Sequence, residues 1–407
     1  MRFRVERNDL TEAVAWTARI LPARATVPVL SGLLLEVAGP AAGHADGDPV
    51  GDDGPGAGLR LSGFDFEVAA TAQVPVSVVE PGRVLVSGRL LAEICRSLPA
   101  APVEFAGDGN RVVLTCGSAR FTLPTMAVED YPTLPVMPPV AGRIAAAAFA
   151  TAVAQVAVAA GRDDTLPVLT GVRVEIEGDR LTLAATDRYR LAVRELPWRP
   201  DTADLSAVAL VPARTLSETA KALAASGDAE VTVALGSGAQ GEGMAGFSGG
   251  ARRTTTRLLE GEFPKYRSLL PSSFEAVAEV DAGLLADAVK RVALVSASRT
   301  APVRLVFTPG TGGDTGELVL EAGSGDDAQA TERLEASFEG AGLTIAFNPS
   351  FLLDGLGQVD GDTARLSFTS PTRPAILTGK PASDVGDDGP AGATDYRYLL
   401  MPVRLPG

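Results

Sequence analysis

Thr26-Val27-Pro28-Val29-Leu30-Ser31-Gly32-Leu33 returns as Thr165-Leu166-Pro167-Val168-Leu169-Thr170-Gly171-Val172, and in weaker form as Thr300-Ala301-Pro302-Val303-Arg304-Leu305. A period of about 130 residues is too long for a solenoid unit and marks whole domains in tandem. A second marker, a short apolar strand running into a helix start, has the same period. It reads Val84-Leu85-Val86-Ser87 before Arg89-Leu90-Leu91, Ala209-Leu210-Val211-Pro212 before Arg214-Thr215-Leu216, and Ile345-Ala346-Phe347-Asn348 before Phe351-Leu352-Leu353. Tyr131-Pro132-Thr133-Leu134-Pro135 and the run from Phe263-Pro264 to Leu270-Pro271 read as linkers that close a repeat. Three domains follow, over 1–138, 139–274 and 275–407, in a chain of 407 residues that exceeds what one core organises.

Each repeat carries two helices among many strands. The first helix is expected to open at Asp9 as N-cap with Glu12 three residues on, and to bury Leu10, Val14, Thr17, Ala18 and Leu21. Runs such as Arg111-Val112-Val113-Leu114-Thr115 and Arg173-Val174-Glu175-Ile176 are β-branched and bounded by Gly-Asp turns. The fold class is α+β, antiparallel sheets backed by a few helices.

The net charge of -14 argues against nucleic-acid binding if taken alone. Its distribution softens that objection. Residues 40–58 and 383–394 hold four and three Asp and no Lys or Arg, which is half the excess. These Gly/Asp-rich insertions read as solvated loops, and the Gly-rich segment 236–250 as a long hairpin loop. Local charge on one surface can then oppose the global sign. No apolar run is long enough to span a bilayer, no signal-peptide core follows the N-terminus, and a cytoplasmic location is expected. Cys95 and Cys116 are expected as two free buried thiols rather than one disulfide, and with His44 as the one histidine no usual zinc site can be built.

Catalytic motifs fail on inspection. Gly236-Ser237-Gly238-Ala239-Gln240-Gly241 matches G-x-G-x-x-G, but a strand-like Arg252-Arg253-Thr254-Thr255-Thr256 follows instead of the helix that would hold a pyrophosphate. No Walker A sequence occurs, and neither cysteine has a histidine nearby in sequence. Asp187-Arg188-Tyr189-Arg190 is the densest polar cluster. With Asp187 as base and Tyr189 as acid it suggests a hydrolase, but no second carboxylate accompanies it. A turn between strands, or a binding surface, fits better. No catalysis and no cofactor are expected.

Two helices share a basic stripe. Leu216, Ala220 and Leu223 lie on one side of a helical wheel, and Arg214 and Lys221 on the other. Arg89 and Arg96 repeat that spacing in the first repeat, while Arg24 and Arg162 lie near the ends of the first helices. Such cations contact phosphates without reading sequence. In the third repeat, Leu284, Leu285, Ala288, Val292 and Val295 form the expected core stripe, and Leu294 points away beside Asp287 and Lys290 as an interface residue.

From end to end the chain resembles the bacterial sliding clamps, the beta subunits of DNA polymerase III. The resemblance rests on Phe3-x-Val5-Glu6-Arg7, Val27-Pro28-Val29-Leu30, Leu169-Thr170-Gly171, Ala185-Thr186-Asp187-Arg188-Tyr189-Arg190-Leu191-Ala192-Val193, Gly261-Glu262-Phe263-Pro264-Lys265-Tyr266 and Met401-Pro402-Val403-Arg404-Leu405. It implies a head-to-tail homodimer, a six-domain ring with helices lining a hole for duplex DNA, with Leu294 and Val295 at the dimer interface. It also implies a pocket between the second and third domains for the polymerase III catalytic subunit, the clamp loader and other clamp-binding proteins. By motif position, that pocket takes Leu169, Thr186, Arg188, Tyr189, Arg190, Leu191, Pro264 and Leu269. From the third domain it takes Asn348, Phe351, Leu399, Met401, Pro402, Val403, Arg404 and Leu405. The family commonly has Gly-His where this chain has Arg188-Tyr189, often ends at the leucine that Pro406-Gly407 follow here, and has aromatics where this chain has Pro167 and Val168.

Overall fold

The computed structural model describes residues 1–22, 24–38, 58–237, 240–296, 298, 301–310, 315–323, 328–380 and 396–404. His44, the insertion 383–394, most of the insertion 40–58, Thr300 and Leu405 lie outside them.

The chain forms antiparallel sheets with two helices per repeat, as the patterning requires. In the first repeat the helix Arg7–Thr17 buries Leu10, Ala13, Val14, Trp16 and Thr17. The Thr11 hydroxyl donates to the Cys95 carbonyl on the second helix, Gly88–Ser97, at 3.2 Å. Phe3 and Phe105 stack 4.9 Å apart in the same core, where both cysteines are buried as free thiols. Burial pushes the Cys95 thiol up to about 12, so it stays protonated and unreactive at neutral pH. The G-x-G-x-x-G segment falls at the junction of strands Glu230–Ser237 and Gln240–Gly249, which pair antiparallel, and strand Arg252–Arg257 follows.

Three expectations are corrected. The segment 236–250 is mostly strand rather than a long loop, since Gln240–Gly249 pairs on both sides and buries Ala245 and Phe247. Glu6, in extended conformation, is the N-cap of the first helix, and Asp9 sits in the first turn, where a carboxylate still suits the helix dipole. The third repeat's helix is Ala282–Val292, N-capped by Asp281, whose carboxylate accepts the Leu284 N–H. That start turns Leu284 outward, 58% exposed, and Val289 takes its place in the core. The chain then tightens into the 3-10 turn Ala293–Val295, which leaves Leu294 83% exposed and Val295 half-buried.

The chain divides into two compact units that do not coincide with the repeats. One comprises Met1–Ala147 and Glu218–Leu258, the other Ala148–Ser217 and Leu259–Gly407. The middle repeat is shared because strand pairing crosses the repeat boundaries. In the first unit, Arg252–Arg257 of the middle repeat pairs with Val68–Val74 of the first, Thr254 opposite Ala70. In the second unit, Arg190–Pro197 of the middle repeat pairs with Tyr396–Leu400 of the third, Ala192 opposite Tyr398. Each junction satisfies backbone groups that would otherwise form an exposed sheet edge. Among the described residues, no helix is long and apolar enough to cross a membrane.

Candidate functional site

Strands Arg180–Thr186 and Arg190–Pro197 are joined by the turn Asp187-Arg188-Tyr189. The Asp187 carboxylate builds that turn. Its Oδ1 accepts the Tyr189 and Arg190 N–H groups, both at 3.0 Å, and its Oδ2 accepts Arg190 Nε at 2.9 Å. A carboxylate so occupied orders a loop and is not a free base, which disposes of the hydrolase reading. The Thr186 hydroxyl donates to the Arg190 carbonyl at 2.6 Å and accepts the Arg188 N–H at 3.2 Å.

These bonds hold Arg188 at φ 80°, a left-handed conformation in which a side chain strains the backbone. A glycine would adopt it freely. Arg188→Gly is expected to raise stability by about 1 kcal/mol, read as a shift of the urea midpoint without change in slope.

Arg190 is the centre of the site. Only 5% exposed, it donates to Asp354 Oδ2 at 2.5 Å and to the Tyr398 hydroxyl at 3.3 Å, in addition to Asp187. Its guanidinium lies 4.5 Å from the centre of the Phe351 ring, and Tyr189 stacks on the far end of that arrangement, 6.2 Å from Phe351. Phe351 and Asp354 stand three apart on the helix Pro349–Leu356, so both face the arginine. Asn348 caps this helix by accepting the Ser350 N–H. Tyr398 donates to the Phe351 carbonyl at 2.9 Å, and Gly355 lets the helix approach, since a Cβ there would sit 2.5 Å from the Tyr398 ring.

Above this floor lies a cavity of ≈ 380 Å³ bordered by Leu166, Leu169, Tyr189 and Phe351, with Arg162, Arg188 and Arg190 among its polar walls. Of the sequence-expected pocket residues, Leu169, Arg188, Tyr189, Arg190 and Phe351 line it. Thr186 lies buried beneath the turn, and Leu191 and Leu399 belong to the apolar cluster with Phe263 and Tyr266. Pro264, Leu269, Met401, Pro402, Val403 and Arg404 are not among its walls. Met401 is tied to the turn, its N–H donating to the Tyr189 carbonyl at 2.9 Å, and the Val403 N–H reaches the Ala346 carbonyl at 2.8 Å. Leu269 is exposed on the linker's 3-10 turn.

Several wall residues escaped the sequence reading, among them Arg162, Leu166 and Asp354. Arg162, read as a DNA contact, stands here beside Leu166, and Asp354 closes the opposite side. Their signal was available: Leu166 belongs to the Thr165 repeat marker, Arg162 precedes it, and Asp354 follows Phe351 by one turn. Of the other expected cations, Arg24, Arg89, Arg96, Arg214 and Lys221 are all exposed, the last four on the two stripes as spaced.

The linker is pinned to strand Gly171–Glu177 by Glu175. This buried carboxylate accepts Arg173 Nε at 2.5 Å, Arg267 at 2.6 Å and the Tyr266 hydroxyl at 2.9 Å. Burial alone raises its pKa, but the bonds from Arg267, Arg173 and Tyr266 outweigh burial and hold it below the usual range. A depressed carboxylate stabilises the fold above its unfolded pKa and loses that contribution as pH falls through the folded value. Glu175→Gln is therefore expected to lose about 1–3 kcal/mol at neutral pH, and to converge on the parent protein as pH falls below about 4, in urea titrations across pH.

Family models for the N-terminal, central and C-terminal domains of the DNA polymerase III beta subunit match residues 1–41 with 53–135, 143–265 and 267–388. The beta sliding clamp of Streptomyces coelicolor is 56% identical over 407 residues, covering 100% of both chains. That of Micrococcus luteus is 48% identical over 339 residues, 83% of this chain and 100% of that protein. Among solved structures, a sliding clamp from Pseudomonas aeruginosa bound to griselimycin superposes with a TM-score of 0.85 at 27% identity, covering 100% of both chains. With all three repeats matched in order and more than half its residues shared with a full-length clamp, the chain belongs to the DNA polymerase III beta subunit family, the bacterial beta sliding clamps.

Proposed function

We propose that two copies of this chain close head to tail around duplex DNA, and that the ring tethers the polymerase III catalytic subunit, the clamp loader and other clamp-binding proteins through the cleft at Arg190. The observation that carries this is the edge that, among the described residues, stays open at each end of the repeat series. Strand Val68–Val74 is completed by the last strand of the second repeat, and Arg190–Pro197 by the last strand of the third. The corresponding strand of the third repeat, Ala330–Glu339, pairs on one side with Gly316–Ala322, and with Ala276–Asp281 only from Ser337 onward. The last strand of the first repeat, Ala119–Met126, pairs with Arg111–Cys116 and touches Gly82–Ser87 only at Thr125 and Met126. Two open edges of matching kind at opposite ends of the chain suit a heterologous contact that closes.

Carrying over the register of the internal junctions sets Phe121 of one copy opposite Ala330 of the other. Ala330 then takes the place of Ala70 and Ala192, the alanines at the two internal junctions. Leu294 and Val295 add apolar surface on the third repeat's side. The repeats are taken as 1–138, 139–274 and 275–407. Exposed Arg24, Arg89, Arg96, Arg162, Arg214 and Lys221 would meet phosphates without sequence preference. The cleft's apolar walls suit a short peptide with Leu or Phe anchors, and by motif position the linker and the tail would add to the peptide's contacts. The protein acts as a non-catalytic processivity factor, in the cytoplasm where bacterial chromosomes replicate.

The test is retention on circular DNA. The protein is loaded on a nicked circle by its clamp loader, and the circle is then linearised. Loss on linearisation, at a salt concentration where the circle stays occupied, is the expected result. Equal retention on both forms would mean adhesive binding and would end the ring reading.

A further inference from the structure

We propose that Gln155 is a positioning residue of the cleft, and that with Asp360 and Arg194 it fixes the spacing between two cleft walls. The inference rests on the cleft being the partner site, and none of these three residues lines the cavity itself. On the helix Ala146–Ala157 only Thr151 and Gln155 carry polar side chains. Thr151 is exposed, whereas Gln155 is 2% exposed. Burying an amide is costly unless it is bonded. Gln155 Nε2 donates to the Gln358 carbonyl at 3.1 Å and to Asp360 Oδ1 at 2.9 Å. Both partners are acceptors, which fixes the orientation of the amide. Asp360 Oδ2 accepts Arg194 Nη1 at 2.9 Å. Arg190 and Arg194 stand four apart on one strand and so on one face. Each grips an aspartate of the third repeat, Asp354 on the helix Pro349–Leu356 and Asp360 just beyond it.

Both ends of this tie run without slack into cleft walls. Beyond Gln155 the chain turns tightly, with the Ala159 N–H on the Val156 carbonyl at 3.0 Å and the Ala160 N–H on the Ala157 carbonyl at 3.1 Å. The Gly161 N–H then donates to the Leu169 carbonyl at 2.7 Å, and Ala160, Gly161 and Leu169 all border the cavity. On the other side, the Gly357 and Gln358 N–H groups donate to the Leu353 and Gly355 carbonyls, both at 3.0 Å, so Asp360 moves with the helix that carries Phe351 and Asp354. Its backbone lies against strand Ala375–Gly379, where a Cβ at Gly379 would collide with the Asp360 carbonyl oxygen. The tie specifies geometry more than it stabilises. Gln155 Oε1 is buried and, among the described residues, has no hydrogen-bond partner. An amide satisfied on one side only contributes little net stability, and an apolar side chain of the same length can replace it. Apolar contacts are non-directional, however, and do not select one register between the two walls.

The experiment pairs urea denaturation with fluorescence anisotropy of a labelled peptide that carries Leu and Phe anchors. The full-length protein, Gln155→Met, Asp360→Ala and the double variant are compared. Methionine keeps the unbranched length of glutamine and removes the amide. Gln155→Met is expected to unfold at or above the parent's urea midpoint and yet to bind the peptide about fivefold more weakly. Because Gln155 and Asp360 act through one network, the double variant is expected to bind no more weakly than Asp360→Ala alone, where independent effects would multiply. Affinity of Gln155→Met equal to the parent's, a loss of affinity that comes with a lowered midpoint, or multiplied losses in the double variant each overturn this inference and leave the cleft reading standing. Failure of the peptide to bind the parent protein overturns the two together.

Discussion

Arg190→Ala is expected to abolish peptide binding and to remove about 3 kcal/mol of stability, the lower part of the range for breaking a buried ion pair. The lower part applies because Asp354 is 38% exposed and regains water when its partner goes. Asp187 does not escape so easily. Its carboxylate still organises the turn through two backbone N–H groups but loses the charge that balanced it. Tyr398 loses a donor to its hydroxyl, and Phe351 loses the cation over its ring. The helix Pro349–Leu356 then has no charged tie to the middle repeat's turn at Asp354, and the cavity wall it forms moves with it. Lysine at this position restores the charge but not the fork that reaches Asp187 and Asp354 at once, so Arg190→Lys is expected to recover part of the stability and little of the affinity. Urea denaturation and peptide titration on the same samples decide it. An unchanged midpoint with unchanged affinity would mean that Arg190 organises neither the turn nor the cleft.

Leu294→Asp is expected to turn the dimer into a folded monomer. At 83% exposure Leu294 contributes almost nothing to its own chain's core, so the substitution leaves the fold intact. In the proposed interface it loses about 2 kcal/mol of apolar burial and adds the desolvation of a carboxylate. A head-to-tail ring of two chains contains this contact twice, and each 1.4 kcal/mol is tenfold in affinity, so a shift of several orders of magnitude follows. Sedimentation equilibrium should report 41.8 kDa for the variant and twice that for the parent. Retention on circular DNA should fall with it. A variant that stays dimeric places the interface elsewhere on the molecule.

Much of the architecture was legible in the residues. The Thr-x-Pro-x marker and the strand-to-helix marker placed the three repeats, because identical local folds reuse identical turn chemistry. The turn at Asp187 was legible because Asp accepts N–H groups two and three residues on. The buried cysteines were legible because each sits among apolar neighbours at helical or strand spacing. Leu284 was not, since periodicity reports spacing and the phase is set by where Asp281 starts the helix. That Arg162 also borders the cleft was not legible, because a cation at a helix end looks the same in sequence whether or not a cavity lies beside it. Asp354 drew no notice, because a lone carboxylate on an apolar helix gains meaning only when a buried arginine arrives from 164 residues away.

The sequence by itself determined the elements, their order and their threefold recurrence, since these follow from hydrophobic period, caps and turns, all of which are local. Only the tertiary structure decided which strand edges join. Backbone N–H and C=O groups are the same in every residue, so edge pairing is chosen by topology and by which side-chain faces must be buried together. That choice divided the middle repeat between two compact units, brought Arg190 beneath the helix of the next repeat, and, among the described residues, left an open edge on Ala330–Glu339 and on Ala119–Met126.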